Sequence, residues 1–329
     1  MHVLFALLAA AAPIEVQWTI EPLAEDMSQV QLSLVRRTAN SRWTHSDSTS
    51  ISRIEGLTTA QLEAREGVPV RFRLGREAGS FDCDGLVRRR HGTGECRFVP
   101  DPRFTGELAQ RGIGAASDEE LFRMSLAGVG LDYIDEVERQ GYQRPSIADL
   151  IRAADHGAGL DYLREMGRLG YRAGTLGALA RMRDHGVTPD YVEGFVGLGY
   201  RRVPAEELIR MRDHGVMPDY VRALARHGVR GLATEELVRL RDHGVDPDFV
   251  GRARQLGFAR TGPDDLIRMR DHGVNAGYLA ELVALGYGSL SAEEIVRLRT
   301  HGVSADFIRR ANAGGRRSAE ELVRLRSGG

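Results

Sequence analysis

Apolar and polar residues alternate along the first hundred positions, and that beat gives way to a helical one for the rest of the chain. Within 15–100 the apolar positions fall two apart: Val16, Trp18 and Ile20; Val30, Leu32 and Leu34; Val68, Val70, Phe72 and Leu74. A period of two puts alternate side chains on one face, so these runs predict strands with one buried side. A short helix is predicted over 58–66, where Thr58 and Gln61 have capping-box spacing. Beyond residue 100 a Gly-Val pair or near variant returns every 29 residues, at Gly128, Gly157, Gly186, Gly215, Gly244, Gly273 and Gly302. A strict period of this size means stacked units, none of which buries a core alone.

Each unit reads as two short helices. In residues 207–228, helix A carries Leu208, Ile209 and Met211 on one side and stops at Gly215, the residue type that takes a left-handed C-cap without a Cβ penalty. Helix B opens on proline in three copies, Pro189, Pro218 and Pro247, each followed by an Asp suited to the positive end of the helix dipole. It carries Tyr220, Val221 and Leu224 inward and ends at a second glycine, repeated at Gly141, Gly170, Gly199, Gly228, Gly257, Gly286 and Gly315. Phe104 stands 29 residues before Tyr133 and Gly112 stands 29 before Gly141, so a lone helix B using Pro102 is expected straight after the last strand. At the far end Arg316 replaces an aromatic, the loop loses two residues, and 321–326 form a final helix A, an irregular end suited to capping a repeat array. The expected fold class is α+β, mostly α: a small antiparallel β domain over 13–101, then an α-solenoid of about seven 29-residue two-helix repeats over 102–329.

The length allows two domains. Net charge is −1, with 12 basic against 12 acidic residues to Pro100 and 33 against 34 after it, so neither part is built for polyanions. All 45 basic residues are Arg. Phosphate recognition is one explanation, and a GC-rich genome writing Arg codons is the simpler one. Residues 1–12 read as a secretory signal, with an apolar run over 3–8 flowing into alanines and an A-x-A site near Ala11. The run is too short to span a bilayer as a helix, and only the amino terminus and His2 supply positive charge.

Both cysteines fall in the β domain. If 80–99 is a hairpin, pairing Cys83 with Cys96 sets Phe81 opposite Phe98 and Asp82 opposite Arg97, so one register satisfies three pairs. Opposed strand residues have about the separation a disulfide needs, and with the signal segment this favours an oxidising compartment. Two free buried thiols in a cytosolic protein are the alternative. The tip Arg88, Arg89, Arg90 and His91 sits in the hairpin turn, where a solvated loop is the default.

Histidine recurs at His156, His185, His214, His243, His272 and His301. Neighbouring helices stack roughly 8 to 10 Å apart while zinc holds nitrogen at about 2 Å, so the column is expected to hold no metal and instead to answer the carbonyls at its own helix end. Arginine fills another column: Arg123, Arg152, Arg181, Arg210, Arg239, Arg268, Arg297 and Arg324. Glu206, Glu207 and Asp213 surround Arg210 at helical spacing, so its charge is expected to be answered within its own helix rather than by nucleic acid. Arg212 falls beside Leu208, where its stem packs and its guanidinium is expected to reach outward. No H-E-x-x-H, P-loop, G-x-S-x-G or dinucleotide fingerprint occurs, and the adjacent His45, Ser46 and Asp47 are wrongly arranged for a triad assembled in space. No cofactor is implied.

Residues 240–249, Leu-Arg-Asp-His-Gly-Val-Asp-Pro-Asp-Phe, followed by Leu256 and Gly257, resemble a bacterial HGVTPEY-like two-helix repeat found in extensions after the peptidase domain of BlaR/MecR-type penicillinase-sensor proteins, and in free-standing exported relatives. Residues 76–85 and 92–100 look like the strand pair that introduces those repeats. No metal-binding peptidase motif accompanies them here, so the resemblance implies a sensor-associated extension without catalysis.

One difference separates the helices. The outward positions of helix A barely change, whereas two helix B columns vary: Asp135, Arg164, Glu193, Arg222, Gly251, Ala280, Arg309; and Arg139, Arg168, Gly197, Arg226, Gln255, Ala284, Ala313. A surface that reads a protein partner needs different chemistry at each step, so Arg164, Arg168, Glu193, Arg222 and Arg226 are the candidate partner-binding residues. The expected function is an exported, non-catalytic protein-interaction or sensing scaffold, periplasmic or secreted. A cytosolic regulator touching nucleic acid through Arg, and an enzyme with an unrecognised site in the β domain, are the alternatives.

Overall fold

The computed structural model describes residues 13–23, 28–37, 42–258 and 261–328. The expected signal segment, 1–12, lies outside them. The chain divides into two compact units, Met1–Arg183 and Asp184–Gly329.

The first unit opens with a sheet of β1 (Glu15–Pro22), β2 (Gln29–Arg37), β3 (Arg42–Ser50), β4 (Val68–Arg76), β5 (Gly79–Arg88) and β6 (His91–Pro100), in the order β3-β2-β1-β6-β5-β4 with every pair antiparallel. The alternating residues of β1, β2 and β4 are buried except Val68, which is half-buried at its strand's start. β3 escapes sequence pattern because it has no alternation: RWTHSDSTS buries nothing fully and pairs only with β2, and such polar residues suit an edge strand.

Trp18 anchors the inner face. It is fully buried, packs edge-on to Phe72 at 4.9 Å, and donates its indole N–H to the Asp84 carbonyl at 3.0 Å. Gly85 and Gly94 oppose each other beneath it. A Cβ on Gly85 would stand 2.6 Å from Trp18 Cζ2, and one on Gly94 would stand 2.7 Å from its Nε1, so the indole lies where only glycine leaves room.

The hairpin register is the expected one, with Phe81 opposite Phe98, Asp82 opposite Arg97, and Cys83 disulfide-bonded to Cys96. Two details differ. Asp82 turns to the other neighbour and accepts from Arg73 Nε at 2.6 Å; that bond holds its carboxyl below the usual carboxylate range, with the Arg97 charge a lesser cause. The basic tip is exposed at Arg88, Arg89 and His91, as expected, but not at Arg90. Arg89 and Arg90 take positive φ of 48° and 66°, as a two-residue hairpin turn demands. Their amides bond to Ala64 O and Leu62 O, and Arg90 is buried. Those carbonyls end α1 (Thr59–Glu63), which has the expected Thr58–Gln61 capping box but stops three residues short of the predicted end.

Helices α2 to α17 follow with no linker after β6. The lone helix B is α2 (Pro102–Gln110). The A helices are α3 (Asp118–Ala127), α5 (Ile147–Asp155), α7 (Leu176–Asp184), α9 (Ala205–Asp213), α11 (Thr234–Asp242), α13 (Pro263–Asp271), α15 (Ala292–Thr300) and α17 (Ala319–Ser327). The B helices are α4 (Leu131–Arg139), α6 (Leu160–Arg168), α8 (Pro189–Val196), α10 (Pro218–Arg226), α12 (Pro247–Gln255), α14 (Ala276–Ala284) and α16 (Ala305–Ala311). The fold is thus α+β, mostly α. In the first unit α3 packs on α5 and α4 on α6; in the second, successive A helices from α9 to α17 pack on one another, as do successive B helices from α8 to α16. In the first unit α3 also packs on β5 and β6, setting Phe122 against Phe81 and Phe98 at 5.9 and 5.5 Å.

Gly215 shows how helix A stops. Its φ is 68°, its N–H bonds to Arg212 O, and the N–H of Val216 bonds to Met211 O at 2.8 Å. This is a Schellman turn, closed by burial of both Val216 and Met211.

Candidate functional site

The residue types that recur in every repeat have their polar groups engaged inside the stack. On helix B the tyrosine hydroxyl reaches forward to the carbonyl after the next C-cap glycine: Tyr133 to Ala158 at 2.8 Å, Tyr191 to Val216 at 2.9 Å, Tyr220 to Val245 at 2.8 Å and Tyr278 to Val303 at 2.9 Å. Burial raises the pKa of these phenols, pushing Tyr220 and Tyr278 up to about 12.

The first arginine column bridges repeats instead of closing within its helix. Arg210 pairs with Glu235, and Arg239 with Asp264 at 2.9 Å, each partner lying 25 residues on, while Arg123 pairs with Asp155 at 3.2 Å. An N–H fork held by a carboxylate of the next helix A is a ladder rung, and within α9 Asp213 is engaged by His185 and Glu207 by Thr234 of the next helix A.

Histidine likewise reaches forward. His185 Nδ1 meets Asp213 at 2.9 Å, His214 meets Asp242 at 2.7 Å and His243 meets Asp271 at 2.6 Å. The column was expected to answer its own helix end, and His301 does so, at 2.8 Å from Arg297 O. Sequence spacing within one helix conceals these bridges because both partners lie near the ends of different A helices. Among the described residues no group of three or more His, Cys, Asp or Glu could hold a metal ion.

The second arginine column departs furthest from expectation. Arg212 does not reach outward: its guanidinium carbon lies 5.5 Å from the Tyr191 ring centroid, and its Nε–H donates to Gly186 O at 3.0 Å. The pattern repeats with Arg270 over Phe249 and bonded to Gly244 O at 2.9 Å, and with Arg299 over Tyr278 and bonded to Gly273 O at 3.1 Å. In the first unit Arg183 lies over Tyr162 at 5.4 Å. Arg212, Arg270 and Arg299 thus cap the preceding helix A, and all four arginines cover an aromatic of the preceding helix B. A sequence signal existed, the 21-residue interval from helix B aromatic to arginine shared by Arg183, Arg212, Arg241, Arg270 and Arg299.

The five candidate helix B residues lie on the surface, whereas Gly251 of the same column is buried beside His227. Arg164 and Arg168 lie exposed on α6 in the first unit; Glu193 on α8, and Arg222 and Arg226 one turn apart on α10, lie exposed in the second. Because α8 and α10 pack together, the second unit brings Glu193 and Arg222 to equivalent positions on adjacent helices. Some of these charges have local partners. Arg222 pairs with Asp219 of its own helix, and Arg164 lies 3.8 Å from Glu136. Glu136 is nearly buried; the bond from Arg139 chiefly holds its carboxyl below the usual range, with burial opposing and Arg164 contributing least. His45, Ser46 and Asp47 lie along one β3 strand, with no triad geometry.

No helix among the described residues is long and apolar enough to cross a membrane. No protein-family model matches the chain, and no curated protein matches it.

Proposed function

We propose that the chain is a non-catalytic, exported scaffold whose helix B face binds a protein partner. The observation that supports this most is the division of labour between columns. The recurring Tyr, His and Arg groups hold neighbouring repeats together, while Glu193, Arg222 and Arg226 are exposed and their positions change from repeat to repeat. The i,i+3 pair of Arg222 with Asp219 is exposed, and exposed pairs are worth about 0 to 1 kcal/mol, so a partner's carboxylate can replace Asp219 at little cost. The Cys83–Cys96 disulfide favours an oxidising compartment such as the periplasm, and the resemblance of the repeat to sensor-protein extensions agrees with a sensing role.

The test is Arg222→Glu with Arg226→Glu. Partner capture from cell-envelope extract should weaken, while the unfolding free energy moves by less than about 0.5 kcal/mol. Capture of the same proteins as wild type would reject the helix B face. A rise in melting temperature with duplex DNA would favour the nucleic-acid alternative, since a ligand of the native state stabilises it.

A further inference from the structure

The arginine over the helix B aromatic is missing from the first two repeats after the sheet. In the 29-residue frame the place of Arg183 and Arg212 falls to Ala154 on α5 and, one repeat earlier, to Ser125 on α3, opposite Phe104 of α2 and close to Gly130. A cavity of about 740 Å³ opens there, lined by Phe104, Ser125, Gly130, Leu131, Glu77 and Asp101 among others.

Two groups beside it have acceptor capacity to spare. The Ser125 hydroxyl is buried, with the residue 3 % exposed, and makes no hydrogen bond. Buried hydroxyls are ordinarily paired, and an unpaired one costs about 1 to 3 kcal/mol. The Glu77 carboxylate comes from the β4–β5 turn to the start of α4. Its Oε2 accepts the Leu131 N–H at 2.8 Å, and its Oε1 stands 2.6 Å from where a Gly130 Cβ would be, in the space a side chain fills elsewhere. The two arginines on the rim are turned to other acceptors: Arg103 to Asp101 at 2.7 Å, and Arg76 to Gly75 O at 3.0 Å.

The geometry points to this cavity as a docking slot for an arginine side chain presented by a protein partner. The chain itself supplies the precedent, since Arg183 and Arg212 fill the corresponding place in their own repeats. A guanidinium carries five donors and no acceptor, which matches a carboxylate with an open oxygen and an unpaired hydroxyl. A lysine ammonium is a compact, strongly hydrated charge that lacks the planar fork. The site is separate from the helix B face and rests on different residues.

The experiment titrates the full chain with N-acetyl-arginine amide, and with the lysine counterpart, by following backbone amide NMR signals. Saturable shifts at 128–131 are expected for the arginine probe with a Kd of about 1 mM, weaker by about tenfold for the lysine probe and for Glu77→Gln. Ser125→Arg restores the column's own arginine, so it should fold with undiminished thermal stability and bind neither probe. Absence of saturable shifts at roughly 20 mM probe in wild type, or unchanged binding by Ser125→Arg, would overturn the assignment. Because the readout is a small probe, its failure leaves the helix B reading standing, and the reverse holds too.

Discussion

The guanidinium of Arg212 lies 5.5 Å from the centre of the Tyr191 ring, although the two residues belong to successive repeats. The contact joins the end of one helix pair to the start of the next, so it contributes to coupling between repeats and not to either repeat alone. Arg212→Ala removes both the ring contact and the bond to Gly186 O, and should cost about 2 kcal/mol in urea unfolding. Arg212→Lys keeps the charge but loses the fork, and should fall between. An unchanged midpoint for the alanine variant would refute the coupling role.

Alkaline pH should loosen the stack through its tyrosines. Tyr220 and Tyr278 are raised to about 12 by burial, above the unfolded value near 10. A raised folded pKa means the neutral form is favoured in the native state. The resulting stability is full below about pH 10 and is lost as pH climbs toward 12. Phenolate absorbance and helicity followed together should therefore change together in that window. Phenolate forming near pH 10 with helicity intact would contradict the burial of these hydroxyls.

Tyr220→Phe isolates the hydroxyl. It strands the Val245 carbonyl that the hydroxyl now meets at 2.8 Å, and should cost about 1 to 2 kcal/mol. Phe249 and Phe307 show that the column tolerates the ring without its hydroxyl, so the variant should still fold.

In the sheet, Gly94→Ala should be far more damaging than its size implies. The added methyl meets Trp18 Nε1 at 2.7 Å and the Asp84 carbonyl that Trp18 bonds. Neither can withdraw, since the indole is fully buried and the carbonyl belongs to the paired strand. A loss of about 3 kcal/mol or more is expected from thermal unfolding, and a loss below about 1 kcal/mol would show that the indole shifts freely.

Leu208→Ala should cost about 2 to 5 kcal/mol, because Leu208 is wholly buried and the stack cannot close over the void. Removing 292–329, by contrast, should leave a shorter folded chain with proportionately less helix, since each repeat touches only its neighbours. Circular dichroism and denaturation of the truncated protein check this; collapse of the sheet as well would argue for long-range cooperativity.

The repeat boundaries were legible because glycine and proline have local conformational meaning: Gly215 at φ 68° and Pro218 at a helix start are fixed by their own backbones. The hairpin register was legible because Cys83, Phe81 and Asp82 each have a matching residue at one spacing. What could not be read was anything joining one repeat to the next. His214 was assigned to its own helix end, and Arg212 to solvent, because helical periodicity describes only neighbours within a helix, whereas Asp242 and Tyr191 lie 28 and 21 residues away. β3 was missed for another reason, since an edge strand with no fully buried residue leaves no hydrophobic alternation to read. The Ser125 cavity is visible only once it is known what the other arginines do.

The forward reach of Tyr220 to Val245, and the backward reach of Arg241 over Tyr220, give the array a direction. A chain leaving the ribosome amino end first presents each helix pair before the residues that complete it exist. The newest pair therefore waits, with the carbonyl for its tyrosine and the carboxylate for its arginine not yet emerged, until another 25 or so residues have left the exit tunnel. Synthesis thus carries one unfinished repeat along its leading edge, and the interval over which that edge needs shielding is set by elongation, at about 5 to 20 residues per second.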